Sequence, residues 1–118
     1  MCTVSFVPST KGICITSNRD EKIARQKAIP PTSYSIRNKK ICFPKDPLAG
    51  GTWFAHDEKN VIVLLNGAKE KHVSKGKYRK SRGLIVLDLI CSSNPLNEWQ
   101  SIDLKDIEPF TIVYYNSK

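Results

Sequence analysis

The chain has 118 residues, 40% hydrophobic and 25% charged, with 19 Lys and Arg against 11 Asp and Glu for a formal charge of +8. This composition argues for one packed domain over residues 1–118 and against wholesale disorder. No apolar run approaches the about 20 residues of a membrane-spanning helix, and the first residues lack the features of a secretory signal, so a cytoplasmic location without a membrane span is expected.

Thr3 to Val7 alternates polar and apolar and Ile13 to Ser17 is a second β-rich run, so the two predict an antiparallel hairpin turning at Pro8 to Gly12. Residues 22–32 read as irregular, stiffened by Pro30-Pro31. Tyr34 to Ile36 and Lys40 to Phe43 are short strand candidates around a turn at Asn38, and Pro44 to Gly51 reads as a loop. Thr52 to Ala55 and Val61 to Leu65 predict a further hairpin whose second, almost wholly apolar member should be a central strand. After the basic stretch Lys69 to Lys80, Ser81 stands where it would cap a helix over Arg82 to Cys91. That segment is apolar nearly all round except for Asp88, which predicts deep packing. A short helix near Asn94 to Ser101 would carry Pro95 in its first turn, and Phe110 to Tyr115 predicts a last strand. The order gives an α+β fold with a mostly antiparallel sheet and one main helix.

The four cysteines, Cys2, Cys14, Cys42 and Cys91, form no C-x-x-C pair, and His56 and His72 are far apart in sequence, so no metal site is expected. Cys14, Cys42 and Cys91 sit among Ile, Phe and Leu and read as small buried hydrophobes. Cys2 differs. A methionine before a small residue is generally removed by cytosolic aminopeptidases. Loss of Met1 would leave Cys2 with a free α-amine, ordinarily titrating at about 7.7–8.0, so that one residue supplies both nucleophile and base.

In the predicted hairpin, residues near 17–19 fall opposite residues 2–4. Arg19 would then stand near Cys2 as a cation favouring the thiolate, and Asp20 could accept a hydrogen bond from the α-amine. The same pair also reads as a surface turn of little energetic weight. Asn66, closing an apolar strand, reads either as an oxyanion donor or as an Asn-Gly turn with Gly67. Gly50-Gly51 before Trp53 reads either as a backbone approach to a ligand beside a pocket aromatic, or as a strand-entry turn beside a core aromatic. The run from Lys69 to Arg82 reads as a solvated loop or as a binder of phosphate or an acidic ligand, but it lacks the aromatic platforms of a single-strand binder.

Met1-Cys2-Thr3, Ser17-Asn18-Arg19-Asp20-Glu21, Phe43-Pro44-Lys45-Asp46, Ala49-Gly50-Gly51-Thr52-Trp53, Leu64-Leu65-Asn66-Gly67 and Ser81-Arg82-Gly83 fall in one order along the chain. In that order they resemble the NRDE family, also called the transport and Golgi organisation protein 2 family, and its bacterial members above all. The family is in turn similar to N-terminal-nucleophile hydrolases of the bile-salt hydrolase and penicillin V acylase group. That resemblance implies a layered αββα sandwich with Cys2 as nucleophile, Arg19 as its electrostatic partner, Asp20 orienting the amine and Asn66 as oxyanion donor. Asn18, Gly51 and Trp53 are the candidate substrate contacts. Arg19 directly precedes Asp20 here, whereas the acylases separate the pair. Family members run considerably further, so the chain is expected to be the N-terminal part of an incomplete sandwich, truncated on its C-terminal side.

Three functions follow as expectations. The first is a cofactor-independent hydrolase cleaving a linear amide, or a related small acyl substrate, through a Cys2 thioester. The second is a non-catalytic carrier, since eukaryotic members of the resembling family are linked to haem handling and lipid homeostasis; haem would then be its ligand. The third is a basic interaction module. The last strand, with an uncovered edge, predicts self-association, and no specific nucleic-acid partner is expected.

Overall fold

In this computed structural model, which describes residues 2–117, two strands open the chain: β1 (Thr3–Ser9) and β2 (Gly12–Asn18). They pair antiparallel from Thr3↔Asn18 to Ser9↔Gly12, a tighter turn than Pro8 to Gly12 predicted. The rest of the sheet structure is one five-stranded antiparallel unit in chain order: β3 (Ile29–Ile36), β4 (Lys39–Lys45), β5 (Phe54–His56), β6 (Asn60–Asn66) and β7 (Phe110–Asn116). Between β6 and β7 the chain forms two helices, α1 (Arg82–Cys91) and α2 (Pro95–Ser101). The α+β reading therefore stands, with an antiparallel sheet and one principal helix.

β6 shows why the layers form. Ile62 and Leu64 point to one face and meet Ile85, Val86, Leu89 and Ile90 of α1, together with Ile41, Phe43 and Ala55 from the neighbouring strands. Val63 has the opposite parity and is also fully buried. On its face lie Val113 and Tyr115 of β7, and Tyr115 meets Phe6 of β1 with ring centroids 5.7 Å apart. The hairpin thus covers one face of the sheet and α1 the other. A strand buried on both sides is apolar along its buried length, as β6 is from Val61 to Leu65. Each fully buried Ile or Val contributes about 1.5–3 kcal/mol relative to exposure. Among the described residues this gives three layers: helices, five strands, and the two-stranded hairpin.

Several local expectations change. Residues 29–32 belong to β3 despite Pro30-Pro31, because β3 is an edge strand bonded only to β4. An edge tolerates missing N–H donors, and the register slips by one residue between Ile29↔Lys45 and Thr32↔Phe43. Ser81 occupies the position before α1, but its side chain makes no capping bond. The helix start is held by backbone instead: Thr52 N donates to Gly83 O at 3.2 Å and Leu84 N to Ser81 O at 3.1 Å. Cys14 is exposed and Cys42 half-buried, so only Cys91 of the three is a buried hydrophobe. Cys14 pairs with Val7 on the outer face of the hairpin, where nothing covers it among the described residues.

The far end of α1 is clamped by Lys39. Its Nζ donates to the carbonyls of Ile90 at 2.9 Å and Ser92 at 3.0 Å, and pairs with Asp57 Oδ2 at 3.1 Å. Asp57 also organises the β5–β6 turn, where its Oδ1 accepts from the backbone N–H groups of Lys59 and Asn60, both at 2.8 Å. These bonds outweigh partial burial and hold the Asp57 carboxyl down at about 2.

Candidate functional site

The Thr3↔Asn18 pair closes the open end of the hairpin, and Asn18 Nδ2 reaches Thr3 Oγ1 at 3.5 Å. Just outside this pair, Cys2 before β1 and Arg19 after β2 line the same cleft, of about 420 Å³. The half-buried Cys2 thiol is free. β6 delivers Leu64 and Asn66 to the cleft, the β4–β5 connection delivers Gly51, Thr52 and Trp53, and the start of α1 delivers Ser81, Arg82 and Gly83. Five of the seven candidate residues therefore share one cavity: Cys2, Arg19, Gly51, Trp53 and Asn66. Asn18 and Asp20 do not line it. Asn18 is turned to Thr3, and Asp20 is exposed in the stretch that follows β2. Removal of Met1 concerns a residue outside the described ones.

Asn66 ends β6 at a turn, as one of its two sequence readings has it. The chain turns away from β6 at Gly67, whose φ is +89°, and Gly67 N donates to Pro109 O at 3.1 Å. Asn66 itself remains at the cleft wall.

The two glycines before Trp53 have separate causes. Gly50 takes a φ of +77°. Gly51 needs no such angle; a Cβ there would lie 2.5 Å from the Gly83 carbonyl carbon. The reciprocal Cβ on Gly83 would lie 2.9 Å from Thr52 N. Two chain segments thus cross in backbone contact at the cleft floor, and this seam sets where α1 begins. The close approach at Gly51 is to the protein's own backbone.

Charges of both signs alternate along the walls. The Arg19 guanidinium lies 3.8 Å above the Trp53 ring and pairs with Glu21. Glu21 is also 3.8 Å from Arg25 Nε, and Arg25 pairs with Asp46. Burial of Asp46 opposes its ionisation, but the Arg25 hydrogen bond, the Leu48 N–H and the charges of Arg25 and Arg19 win, so its carboxyl lies below the ordinary value. Across the cleft, Arg82 pairs with Glu108 at 3.2 Å and donates to Pro109 O at 3.0 Å. Arg19 therefore finds its carboxylate two residues on, at Glu21, and not at Asp20.

Sequence reasoning gives no role to Glu21, Arg25, Asp46 or Glu108, and takes Arg82 only as the end of the basic run. All but Arg25 and Glu108 lie within the ordered motifs, and that order was their signal. The basic run is strapped to the segment 103–108. Arg79 donates to the carbonyls of Asp103 at 2.6 Å and Lys105 at 3.0 Å, and His72 meets Glu108 at 3.1 Å. Ser74 of this strap reaches the cleft. Among the described residues no three His, Cys, Asp or Glu side chains are grouped to hold a metal ion, and no helix is long and apolar enough to cross a membrane.

A family model described as Transport and Golgi organisation 2 matches residues 1–118. No curated protein and no solved structure matches the chain.

Proposed function

The chain belongs to the Transport and Golgi organisation 2 family, and from that membership and the cleft geometry we propose that it is an N-terminal-cysteine hydrolase of small linear amides. The observation that carries the reading is that Cys2, Arg19 and Asn66 line a single cavity although they come from the first and last residues flanking a hairpin and from the end of an inner strand of a different sheet.

With Met1 removed, the α-amine of Cys2 takes the thiol proton as sulfur attacks the amide carbon. The oxyanion that forms accepts a hydrogen bond from the Asn66 amide. As the C–N bond breaks, the proton passes from the α-ammonium to the leaving nitrogen, and a Cys2 thioester remains. Water then attacks the thioester, giving its proton to the same amine, and the carboxylic acid departs as the thiol reforms. Arg19 supplies positive charge near sulfur, and Asp20 accepts a hydrogen bond from the amine to keep it oriented. The cycle draws on this chain's own residues and one water, with no cofactor.

The test is hydrolysis of a panel of small N-acyl amides by wild type, Cys2→Ala and Asn66→Ala. The proposal expects turnover with an acyl-enzyme mass adduct on Cys2, no turnover in Cys2→Ala, and about a 100-fold or greater loss of kcat in Asn66→Ala. Turnover that survives Cys2→Ala contradicts it.

A further inference from the structure

We propose that Trp53 is a positioning residue whose indole face holds the Arg19 guanidinium beside Cys2. The inference rests on the reading of Cys2 as nucleophile and Arg19 as its electrostatic partner. It changes the role of Trp53 from the expected substrate contact, because the guanidinium lies 3.8 Å over its ring and covers that face.

Arg19 follows the last residue of β2 and leads into the exposed irregular stretch 20–28. An arginine side chain in such a place has many rotamers to lose. Trp53 is anchored on both sides. Thr52 N bonds Gly83 O at 3.2 Å, the buried Thr52 hydroxyl bonds the backbone of Phe54, and Leu64 N donates to Trp53 O at 2.8 Å. The Trp53 side chain also packs against the core, so its ring is the platform on which the guanidinium rests. Attraction to the ring quadrupole operates within about 6 Å of the centroid.

The other grip on Arg19 is Glu21. That pair is partly exposed, with side chains 22% and 28% accessible, and such pairs contribute little. Glu21 also brings a negative charge that opposes the field of Arg19 at sulfur. Trp53 is neutral. It fixes the cation without cancelling it, which Glu21 cannot do.

A readout is needed that a purely structural tryptophan would not move. The ratio of Cys2 alkylation rates with anionic iodoacetate and neutral iodoacetamide, at one pH, reports positive charge beside the sulfur and is insensitive to thiol accessibility. The variants are Arg19→Gln, Trp53→Leu, Trp53→Phe and the double Arg19→Gln/Trp53→Leu. Trp53→Leu should lower the ratio about threefold, Trp53→Phe should restore part of it, and Arg19→Gln should lower it at least as far. The double variant should fall no further than Arg19→Gln, because Trp53 acts through Arg19. Against misfolding of Trp53→Leu, fluorinated tryptophans placed at position 53 in a Trp99→Phe background keep the ring's shape while draining its face, and the ratio should fall with each added fluorine.

A ratio unchanged in Trp53→Leu, or unmoved by fluorination, while Arg19→Gln lowers it, overturns this inference alone. So does a double variant whose loss is the product of the two single losses. An unchanged ratio in Arg19→Gln overturns the role of Arg19 itself, and the inference goes with it.

Discussion

Replacing Asp57 by Asn should remove a pH-dependent part of the stability that fixes the far end of α1 through Lys39. In the folded chain the Asp57 carboxyl titrates at about 2, against 3.8 ordinarily. The side chain is only 10% exposed, so solvent screens this little. At 1.36 kcal/mol per pH unit, the gap between these two values corresponds to about 2 kcal/mol. The folded value is depressed, so this stabilisation is fully present above the unfolded value near pH 4 and fades as pH falls through about 2. Asn keeps an oxygen for the turn N–H groups but turns an uncharged, donating amide toward Lys39 Nζ. Urea unfolding of wild type and Asp57→Asn, repeated from pH 7 down to pH 2, gives the assay. The expected result is a gap of about 2 kcal/mol at pH 7 that closes toward pH 2. The wild-type curve also contains other titrating carboxylates such as Asp46, so the difference between the two proteins carries the result. A gap that stays constant across this range, or no gap at pH 7, refutes the reasoning.

Lys39→Met should cost about 1–3 kcal/mol in urea unfolding, because the Ile90 and Ser92 carbonyls lose a charged donor. Combined with Asp57→Asn it should cost less than the sum of the two, since they share one ion pair. Gly51→Ala should lower the thermal midpoint by the equivalent of about 1–3 kcal/mol, because its Cβ would lie 2.5 Å from the Gly83 backbone. It should also displace the start of α1, seen as changed amide shifts at Arg82 to Leu84.

Much of the fold is legible in the sequence where one pattern decides one element. The apolar run of β6, the alternation in the opening hairpin, and Asn94-Pro95 at the head of α2 each carry their own physical cause. Asn94 does accept from the N–H groups of Leu96 and Asn97 at 3.1 and 3.2 Å. The hairpin register also brings Cys2 and Arg19 to one end without any knowledge of the rest.

What was illegible depends on contacts between distant segments. Nothing local tells that Gly51 meets Gly83, or that this seam, not the Ser81 hydroxyl, fixes the first turn of α1. Nothing local tells that Arg19 rests on Trp53, 34 positions away, and chooses Glu21 over the adjacent Asp20. Pro30-Pro31 argues against a strand until one knows that β3 sits at an edge. Cys14 has apolar neighbours in sequence, yet its parity turns it outward.

The reactivity of Cys2 measured against the protein's own other thiols is the most direct test of the central claim. Brief treatment with limiting iodoacetamide at neutral pH, followed by intact-mass and peptide mass analysis, reads both the first residue of the chain and the site of modification. Exposure alone would favour Cys14, which is exposed while Cys2 is half-buried. The account predicts a chain that begins at Cys2, with the first adduct there and Cys14 reacting later. A chain that keeps Met1, or an adduct on Cys14 ahead of Cys2, contradicts it.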